Sequence, residues 1–239
     1  MCLREHALAA LGVERLIVLR FDAALQHLSP EDFIAKVLRE GLDARHVVVG
    51  EGFRFGCRRA GSLDTLIAAG PRQGFEVIAV PSVTAGGTRV SSTRVRTALG
   101  AGDLEGAARL LGRPYALTGR VIYGSQLGRR LGYPTANLRL HRKVAPLGGV
   151  FAVTVRGVDG EAPLAAVASL GTRPTVGGGE TLLEVHLFDF DGDLYGRRLA
   201  VDFFAKLRDE EKFPSLEALV EQMHADAARA RKILAARAA

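Results

Sequence analysis

The chain has 239 residues, of which 48% are hydrophobic and 24% are charged. This balance is typical of a globular protein with one large or two small domains. The sequence contains no apolar run long enough to span a bilayer, and its first residues do not have the pattern of a signal peptide. Cys2 and Cys57 form neither a disulfide framework nor a metal-ligand pattern. We therefore expect a cytoplasmic protein that is not bound to a membrane.

The net charge of +6 allows nucleic acid as a partner, but the pattern of charge and aromatic residues argues against it. The arginines are spread along the chain, aromatic residues make up 6% of it, and tryptophan is absent. Small phosphorylated ligands explain the positive charge equally well. We therefore expect no nucleic-acid partner and keep a nucleic-acid-binding protein as an alternative.

The first 112 residues alternate between helical and strand patterns. Ser29, Pro30 and two acids form a helix start, and Gly41 is typical of a helix end. Apolar runs separated by helices predict a parallel sheet with right-handed crossovers. The predicted helices are 3–11, 29–41, 62–69, 92–99 and 103–111, and the predicted strands are 15–19, 46–49 and 75–80.

From about Gly112 the pattern changes to closely spaced strands without helices between them, which favours antiparallel pairing in a small barrel. Ser215 is expected to begin a closing helix that runs to about residue 236. The sequence therefore predicts an α/β domain over residues 1–112 and a β-barrel domain with a carboxyl-terminal helix over 113–239. The predicted barrel strands are 117–123, 150–156, 164–169, 182–188 and 199–204, and the predicted buried face of the helix holds Leu216, Leu219, Val220 and Met223.

Residues 119–137 contain glycines, paired arginines and a Pro-Thr-x-Asn sequence. Glycines let backbone N–H groups approach a ligand, and arginines match phosphate oxygens. Thr135 and Asn137 offer the oxygen ligands that Mg²⁺ prefers. The segment is therefore a candidate nucleotide and metal site, and the alternative is a turn-rich linker with solvent-facing arginines. The candidate phosphate-binding residues are Gly124, Gly128, Arg129, Gly132, Thr135 and Asn137.

Glu184 is the candidate general base. On a strand, Leu183, Val185 and Leu187 would face one side, and Glu184 and His186 would face the other. A carboxylate in this position could accept a proton from a substrate hydroxyl during phosphoryl transfer. The alternative is a solvent-facing glutamate, and we interpret His186 as structural.

Six segments occur in the order of the riboflavin kinase module, namely residues 124–137, 149–151, 171–175, 183–186, 194–196 and 208–213. The whole chain resembles the bacterial bifunctional riboflavin kinase/FAD synthetase family. This resemblance implies phosphorylation of riboflavin to FMN, with ATP as the phosphate donor and Mg²⁺ as the cofactor.

The resemblance also implies residue roles in the barrel. Thr135 and Asn137 would bind Mg²⁺ and nucleotide phosphates, and Glu184 would act on the ribityl 5′-hydroxyl. The glycine-rich segment and residues 171–175 would form flaps over ATP and flavin. Phe151 stands where the family more often has tyrosine. The flavin-loop candidates are Thr172, Arg173, Thr175 and Arg208.

The first half resembles the FMN adenylyltransferase module, and this resemblance implies an incomplete Rossmann-like nucleotidyltransferase domain. Residues 50–56 match its Gly-x-Asp-Phe-x-Phe-Gly motif, with Gly52 in place of the usual Asp, and residues 90–96 match its Ser-Ser-Thr-x-x-Arg signature. A helix start of this kind would hold phosphate, and a simple serine N-cap is the alternative. The implied site residues are Gly50, Phe53, Phe55, Gly56, Ser91, Ser92, Thr93, Arg94 and Arg96.

The opening motif of that module, Gly-x-Phe-Asp-Gly-x-His-x-Gly-His, would lie before residue 1. None of the six histidines lies in a His-x-Gly-His pattern. Because this motif stabilises charge on the transferred phosphate, we expect FAD formation by these residues to be severely impaired. Two alternatives stay open, a fragment of a fully bifunctional enzyme and a non-catalytic regulator that binds flavin or nucleotide.

Overall fold

The structure is a computed structural model that describes residues 3–124, 126–140, 145–158, 160, 162–173 and 180–238. The chain divides into two compact units. The parallel-sheet unit is Ala9–Arg89, and the barrel unit is Val90–Ala239 together with Met1–Leu8. Among the described residues, no helix has both the length and the apolar character needed to cross a membrane.

The parallel-sheet unit contains two parallel strands joined through a helix. The helix begins at a capping box in which Ser62 and Thr65 bond to each other's backbone N–H groups. The core of the parallel-sheet unit is a small apolar cluster that includes Ile34, Leu66 and Phe75. From the start of the chain, the helices are α1 (Leu3–Ala10, of which residues 3–8 belong to the barrel unit), α2 (Ala23–Gln26), α3 (Pro30–Asp32, continuing as the π-helix Phe33–Gly41) and α4 (Leu63–Gln73), with a 3₁₀ turn at Cys57–Arg59. The strands are β1 (His46–Gly50), β2 (Glu76–Val80), β3 (Thr84–Ala85) and β4 (Thr88–Arg89).

Most of the predicted elements of this unit are confirmed, including the parallel pairing of β1 with β2 and the Ser29 cap on α3. The predicted strand over residues 15–19 is wrong. These residues form no strand, and Val18 is 80% exposed. An apolar run becomes a strand only where a neighbouring strand satisfies its backbone groups, and within the described residues none pairs with this run.

The barrel unit is built around six antiparallel strands that close on themselves in the order β10-β5-β6-β9-β8-β7. Closure leaves the barrel without an edge strand. The strands are β5 (Tyr115–Ile122), β6 (Ala136–Arg139), β7 (Gly149–Arg156), β8 (Leu164–Arg173), β9 (Glu180–Leu187) and β10 (Arg198–Arg208), and the helices are α5 (Ser92–Gly100), α6 (Leu104–Leu111), α7 (Leu127–Arg130) and α8 (Leu216–Ala238).

Two apolar clusters hold the barrel unit together. The first fills the barrel interior, where Phe151 and Phe203 pack edge to face with ring centroids 5.3 Å apart. Leu99 of α5 and Leu104 of α6 belong to the same cluster, so both helices pack against the barrel. The second cluster lies between α8 and the outer surface of the strands and includes Ala230, a side chain with no exposed surface. Burial of this apolar surface is the main stabilising contribution to the unit.

The predicted fold class, an α/β part followed by an antiparallel barrel with a closing helix, is confirmed. The prediction of Leu216 on the buried face of α8 is wrong, because this side chain is 54% exposed. The apolar cluster under α8 is formed by its later turns, around Ala230 and Leu234. Strand β6 has no counterpart among the predicted strands, since its four residues lack the β-branched and aromatic side chains that mark a strand.

Candidate active site

Five residues from five strands form a continuous row across the outer surface of the barrel, which we call the outer row. The ladder places Asn137 opposite Glu184, and Glu184 opposite Ser169. It continues with Ser169 opposite Val150, and Val150 opposite Arg208. Residues that oppose each other in an antiparallel pair project from the same face of the sheet. The barrel therefore brings three of the sequence-predicted site residues, Asn137, Glu184 and Arg208, onto one surface.

The predicted alternation along β9 is confirmed. Leu183 and Val185 are fully buried in the barrel interior, whereas Glu184 and His186 are half-buried on the outer face. His186 Nδ1 lies 2.9 Å from the carbonyl oxygen of Pro134, so its protonated nitrogen donates to the backbone of the Pro-Thr-x-Asn segment. Glu184 therefore lines a cleft on the outer face, and His186 helps to hold the neighbouring loop.

Asn137 presents a buried oxygen that needs a partner. The residue is only 6% exposed, and among the described residues no donor reaches its Oδ1 atom. Its Nδ2 atom lies 3.5 Å from the carbonyl oxygen of Thr135, which orients the amide. A Cβ atom at Gly124 would collide with this amide, so glycine allows the chain to cover it closely. A buried acceptor without a donor is costly, which makes this oxygen suited to a bound cation or donor.

The segment before Asn137 is shaped by a short helix and its glycines. The backbone N–H groups of Leu131 and Tyr133 both donate to the carbonyl oxygen of Gly128, at 3.0 and 2.8 Å. Gly132 ends this turn with a φ of +82°, a conformation that favours glycine. Gly128 and Gly132 therefore set the path of the backbone, while the Arg129 side chain is exposed.

Two clefts of about 680 and 690 Å³ meet at Thr135, which lines both. The first, which we call the helix cleft, lies between the outer row and α8. The second, which we call the tyrosine cleft, lies beside β5 and the turn after β9. Residues that line the helix cleft include Glu184, Arg208, Phe213, Leu219 and Met223, and residues that line the tyrosine cleft include Tyr123, Gln126, Arg129, Phe190 and Tyr195.

The tyrosine cleft has an aromatic and basic lining. Tyr123 and Tyr195 stack with ring centroids 3.8 Å apart and an interplanar angle of 21°. Gln126 Nε2 lies 3.4 Å from the Tyr195 hydroxyl, and Arg129 adds a positive charge. Planar rings beside an arginine suit a ligand that has both an aromatic base and phosphate groups.

Arg208 is held in the helix cleft by several contacts. Its Nε donates to Asp226 Oδ2 at 2.9 Å, and its Nη1 donates to the carbonyl oxygen of Asp209 at 3.0 Å. Nη1 also lies 3.3 Å from a carboxylate oxygen of Glu211, and the guanidinium group sits 5.3 Å from the ring centroid of Phe213. Asp226 is 5% exposed, so this ion pair is largely removed from water.

Tyr133 links the Pro-Thr-x-Asn segment to α8. Its hydroxyl shares a short hydrogen bond with His224 Nδ1, and its ring meets that of His186 edge to face at 4.8 Å. Burial raises the pKa of the Tyr133 phenol, and the nearby positive charge of Arg231 offsets part of this effect. Tyr133 therefore stays protonated and is available as a hydrogen-bond donor at neutral pH.

The predicted flavin loop is described only in part. Thr172 and Arg173 belong to β8, where their backbones pair with Thr181 and Glu180. Thr175 lies outside the described residues. A Cβ atom at Gly171 would run into the carboxylate of Glu210, so glycine permits a close approach between β8 and the loop after β10.

Comparisons with known proteins identify the family to which the chain belongs. The family model described as riboflavin kinase matches residues 111–234, and that described as FAD synthetase matches residues 2–94. The chain is 50% identical over 225 residues to the bifunctional riboflavin kinase/FMN adenylyltransferase of Pseudomonas fluorescens. The matched region covers 94% of this chain and 72% of the relative. The chain belongs to the bifunctional riboflavin kinase/FMN adenylyltransferase family.

Other members and one solved structure agree with this assignment. The bifunctional riboflavin kinase/FMN adenylyltransferase of Escherichia coli K12 is 44% identical over the same length, with the same coverage. A crystal structure reported as a macrolide-efflux protein from Streptococcus pneumoniae superposes with a TM-score of 0.78 at 35% identity, over 95% of this chain and 73% of that one.

The adenylyltransferase motifs of the family occur in separate compact units of this chain. In the parallel-sheet unit, Phe53 and Phe55 stack at 5.5 Å in the apolar cluster, and Gly56 has a φ of +71°. Gly50 ends β1 and is exposed. In the barrel unit, Ser91 caps α5 and its Oγ accepts the N–H of Arg94 at 3.3 Å. The side chains of Ser92, Thr93, Arg94 and Arg96 are exposed on the first turns of α5.

Several residues of the site carry no signal in the sequence that would identify them. Ser169 enters the outer row because β8 pairs with β9, and its Oγ donates to Glu210 Oε1 at 3.1 Å. His224 and Asp226 enter because α8 packs against the barrel. Tyr133 lies inside the family's Gly-Tyr-Pro-Thr-Ala-Asn motif, so its position could have been singled out, but its partner could not.

Proposed function

We propose that the barrel unit phosphorylates the ribityl 5′-hydroxyl of riboflavin, with ATP as the donor, to form FMN and ADP. One observation carries this proposal. Asn137 and Glu184 project side by side from the outer row, and Thr135 lines both clefts beside them. A metal-type oxygen and a carboxylate base therefore lie where two ligands would meet, as phosphoryl transfer requires.

The linings of the two clefts support an assignment of one substrate to each. The helix cleft offers the apolar surfaces of Val150, Leu219 and Met223 together with a few polar groups, which suits a flat isoalloxazine ring. The tyrosine cleft offers stacked aromatic rings and Arg129, which suit an adenine base and its phosphates. With this arrangement the ribityl chain and the γ-phosphate would meet near Thr135.

Mg²⁺ fits the residues at this meeting point. The Oδ1 atom of Asn137 is a buried oxygen that no described donor reaches, so a bound cation would satisfy it. Thr135 Oγ1 is a second oxygen of the type that Mg²⁺ accepts, and phosphate oxygens would complete the set. When bound, Mg²⁺ neutralises charge on the phosphates of ATP. Through this ion, Thr135 and Asn137 would position the phosphates of ATP next to Glu184, which lies opposite Asn137 in the outer row.

Glu184 would act on the proton of the substrate hydroxyl. As the ribityl oxygen forms its bond to the γ-phosphorus, the bond from that phosphorus to the β,γ-bridging oxygen breaks and ADP leaves. The hydroxyl proton passes to the Glu184 carboxylate, which later releases it to solvent. Walls of apolar side chains and Arg208 keep the flavin oriented while this transfer occurs.

Chromatographic separation of flavins and adenine nucleotides after incubation with riboflavin, ATP and Mg²⁺ tests the proposal. We expect FMN and ADP to appear in equal amounts. Binding of riboflavin without release of ADP would instead support the non-catalytic regulator. Binding to generic DNA or RNA with steep salt dependence, and no stabilisation by flavin, would support a nucleic-acid-binding protein.

FMN adenylylation is a second candidate function, favoured by the match of the FAD synthetase model to residues 2–94. Ser91 caps α5 by accepting the N–H of Arg94, and a helix start of this kind can also bind an anion through its other first-turn N–H groups. Because these 239 residues hold no His-x-Gly-His pattern, we expect FMN to accumulate with little FAD. Stoichiometric FAD in the same chromatogram would contradict this expectation.

A further inference from the structure

Helix α8 supplies a side chain to each wall of the helix cleft. His224 bonds to Tyr133, which lies two residues before Thr135, and Asp226 bonds to Arg208 at the end of β10. We propose that His224 and Asp226 are positioning residues that hold these two walls at the separation that a flat flavin ring needs. This inference rests on the proposed function.

The Asp226 side of the cleft is tightly constrained. Its Oδ2 accepts from Arg208 Nε and its Oδ1 accepts from Gln222 Nε2, both at 2.9 Å. A carboxylate that is 5% exposed is costly without its cation, so Arg208 is strongly held in this position. The contacts of Arg208 use Nε and Nη1, and no described residue bonds to Nη2. Nη2 is therefore left as a donor for a ligand carbonyl or ring nitrogen.

The His224 side constrains the loop that carries the phosphate-binding residues. Tyr133 is 8% exposed, and its ring meets those of His186 and His224 edge to face, with ring centroids 4.8 and 5.2 Å apart. His186 in turn donates to the carbonyl oxygen of Pro134. The backbone just before Thr135 is therefore held from both β9 and α8.

A separate part of α8 accounts for its attachment to the barrel. Ala230 and Leu234 lie in the apolar cluster against the strands, whereas His224 and Asp226 lie about one to three turns earlier. Loss of either polar contact should therefore change the cleft more than the docking of the helix. This separation distinguishes a positioning role from a purely structural one.

The experiment measures riboflavin binding by fluorescence quenching without ATP, and steady-state kinetics with ATP, in the full chain. Variants Tyr133→Phe, His224→Ala and Asp226→Asn should each weaken riboflavin binding about tenfold, as expected for a lost hydrogen bond or ion-pair contact that is partly buried. For Asp226→Asn, which acts on the wall that carries Arg208, the apparent KM for MgATP should stay close to that of the wild type. His224→Asn should restore much of the loss, since its amide oxygen can accept from the Tyr133 hydroxyl.

Asp209→Asn is the matched control for Asp226→Asn. The Asp209 carboxylate is 86% exposed and pairs only with Lys206 among the described residues, so its loss should leave riboflavin binding unchanged. Thermal unfolding of each variant reports whether the fold is intact. If Asp226→Asn does not fold, the riboflavin affinities of Tyr133→Phe and His224→Ala, compared with that of His224→Asn, still test the positioning role.

Riboflavin affinities within about twofold of the wild type in the folded variants would overturn the positioning roles. An equal loss in Asp209→Asn, or no recovery in His224→Asn, would do the same. Wild-type turnover combined with normal binding by the variants overturns this inference alone. Riboflavin binding without turnover in the wild type overturns the proposed kinase activity, while the binding comparison still tests the two positions. A wild type that does not bind riboflavin overturns both.

Discussion

Asn137 and Glu184 lie directly opposite each other on β6 and β9, so a buried amide and a half-buried carboxylate project from the same face of the barrel. Neither strand alone would make a site of these residues. Their adjacency follows from antiparallel pairing, which puts the metal-type oxygen and the candidate base within one row.

We predict that Glu184→Gln leaves riboflavin binding largely intact and lowers turnover by about 10²- to 10⁴-fold, the usual effect of removing a general base. Glutamine keeps the size of the side chain but cannot accept the hydroxyl proton. Steady-state assays and riboflavin titrations provide the two measurements. Glu221→Gln, an exposed substitution on α8, should behave as the wild type. Near-normal turnover of Glu184→Gln would remove Glu184 from the mechanism.

Thr135→Ala and Asn137→Ala should each raise the apparent KM for MgATP about tenfold or more, while riboflavin binding changes less. Both substitutions remove an oxygen from the point where the two clefts meet. Titration of Mg²⁺ at fixed ATP measures the effect, with the exposed substitution Thr97→Ala as a control. Unchanged MgATP dependence in both variants would show that the metal assignment is incorrect.

Gly124→Ala should impair MgATP use because the added methyl group collides with the Asn137 amide. Inserting a methyl group into a packed region typically costs about 1–3 kcal/mol of stability, and displacement of the amide would also move its Oδ1 atom. Thermal unfolding and MgATP titration measure these two effects. The matched variant is Gly148→Ala, whose Cβ would lie 3.6 Å from its nearest neighbour and should be tolerated. Equal behaviour of the two variants would contradict the prediction.

The pKa of Tyr133, raised by burial, predicts a pH dependence of stability. Below about pH 10 the phenol is protonated in both states, so its contribution to the free energy of unfolding is complete. As the pH rises further, the unfolded state loses its proton first and this contribution is lost up to the folded-state pKa. Urea unfolding from pH 8 to 11 should therefore show a steeper loss in the wild type than in Tyr133→Phe. The exposed Tyr123→Phe should follow the wild type, and identical slopes in all three would refute the effect.

Much of the site could be predicted from local sequence because its motifs act through local geometry. The alternation around Glu184 follows from the period of a strand, and the Ser29 and Ser91 caps follow from side chains that bond to N–H groups three residues ahead. Strand β6 could not be predicted in this way, because Ala136–Arg139 is stabilised by pairing with the strands on both sides and not by its own strand propensity.

By itself, the sequence determined the order of elements, the change from an α/β pattern to an antiparallel one, and the residues with the right chemistry. Tertiary structure decided which of these residues meet. The run over residues 15–19 remained outside a sheet because strand formation needs a partner. Likewise, Ser169, His224 and Asp226 joined the site only through barrel closure and the docking of α8, because contacts between distant parts of a chain depend on packing that no local pattern encodes.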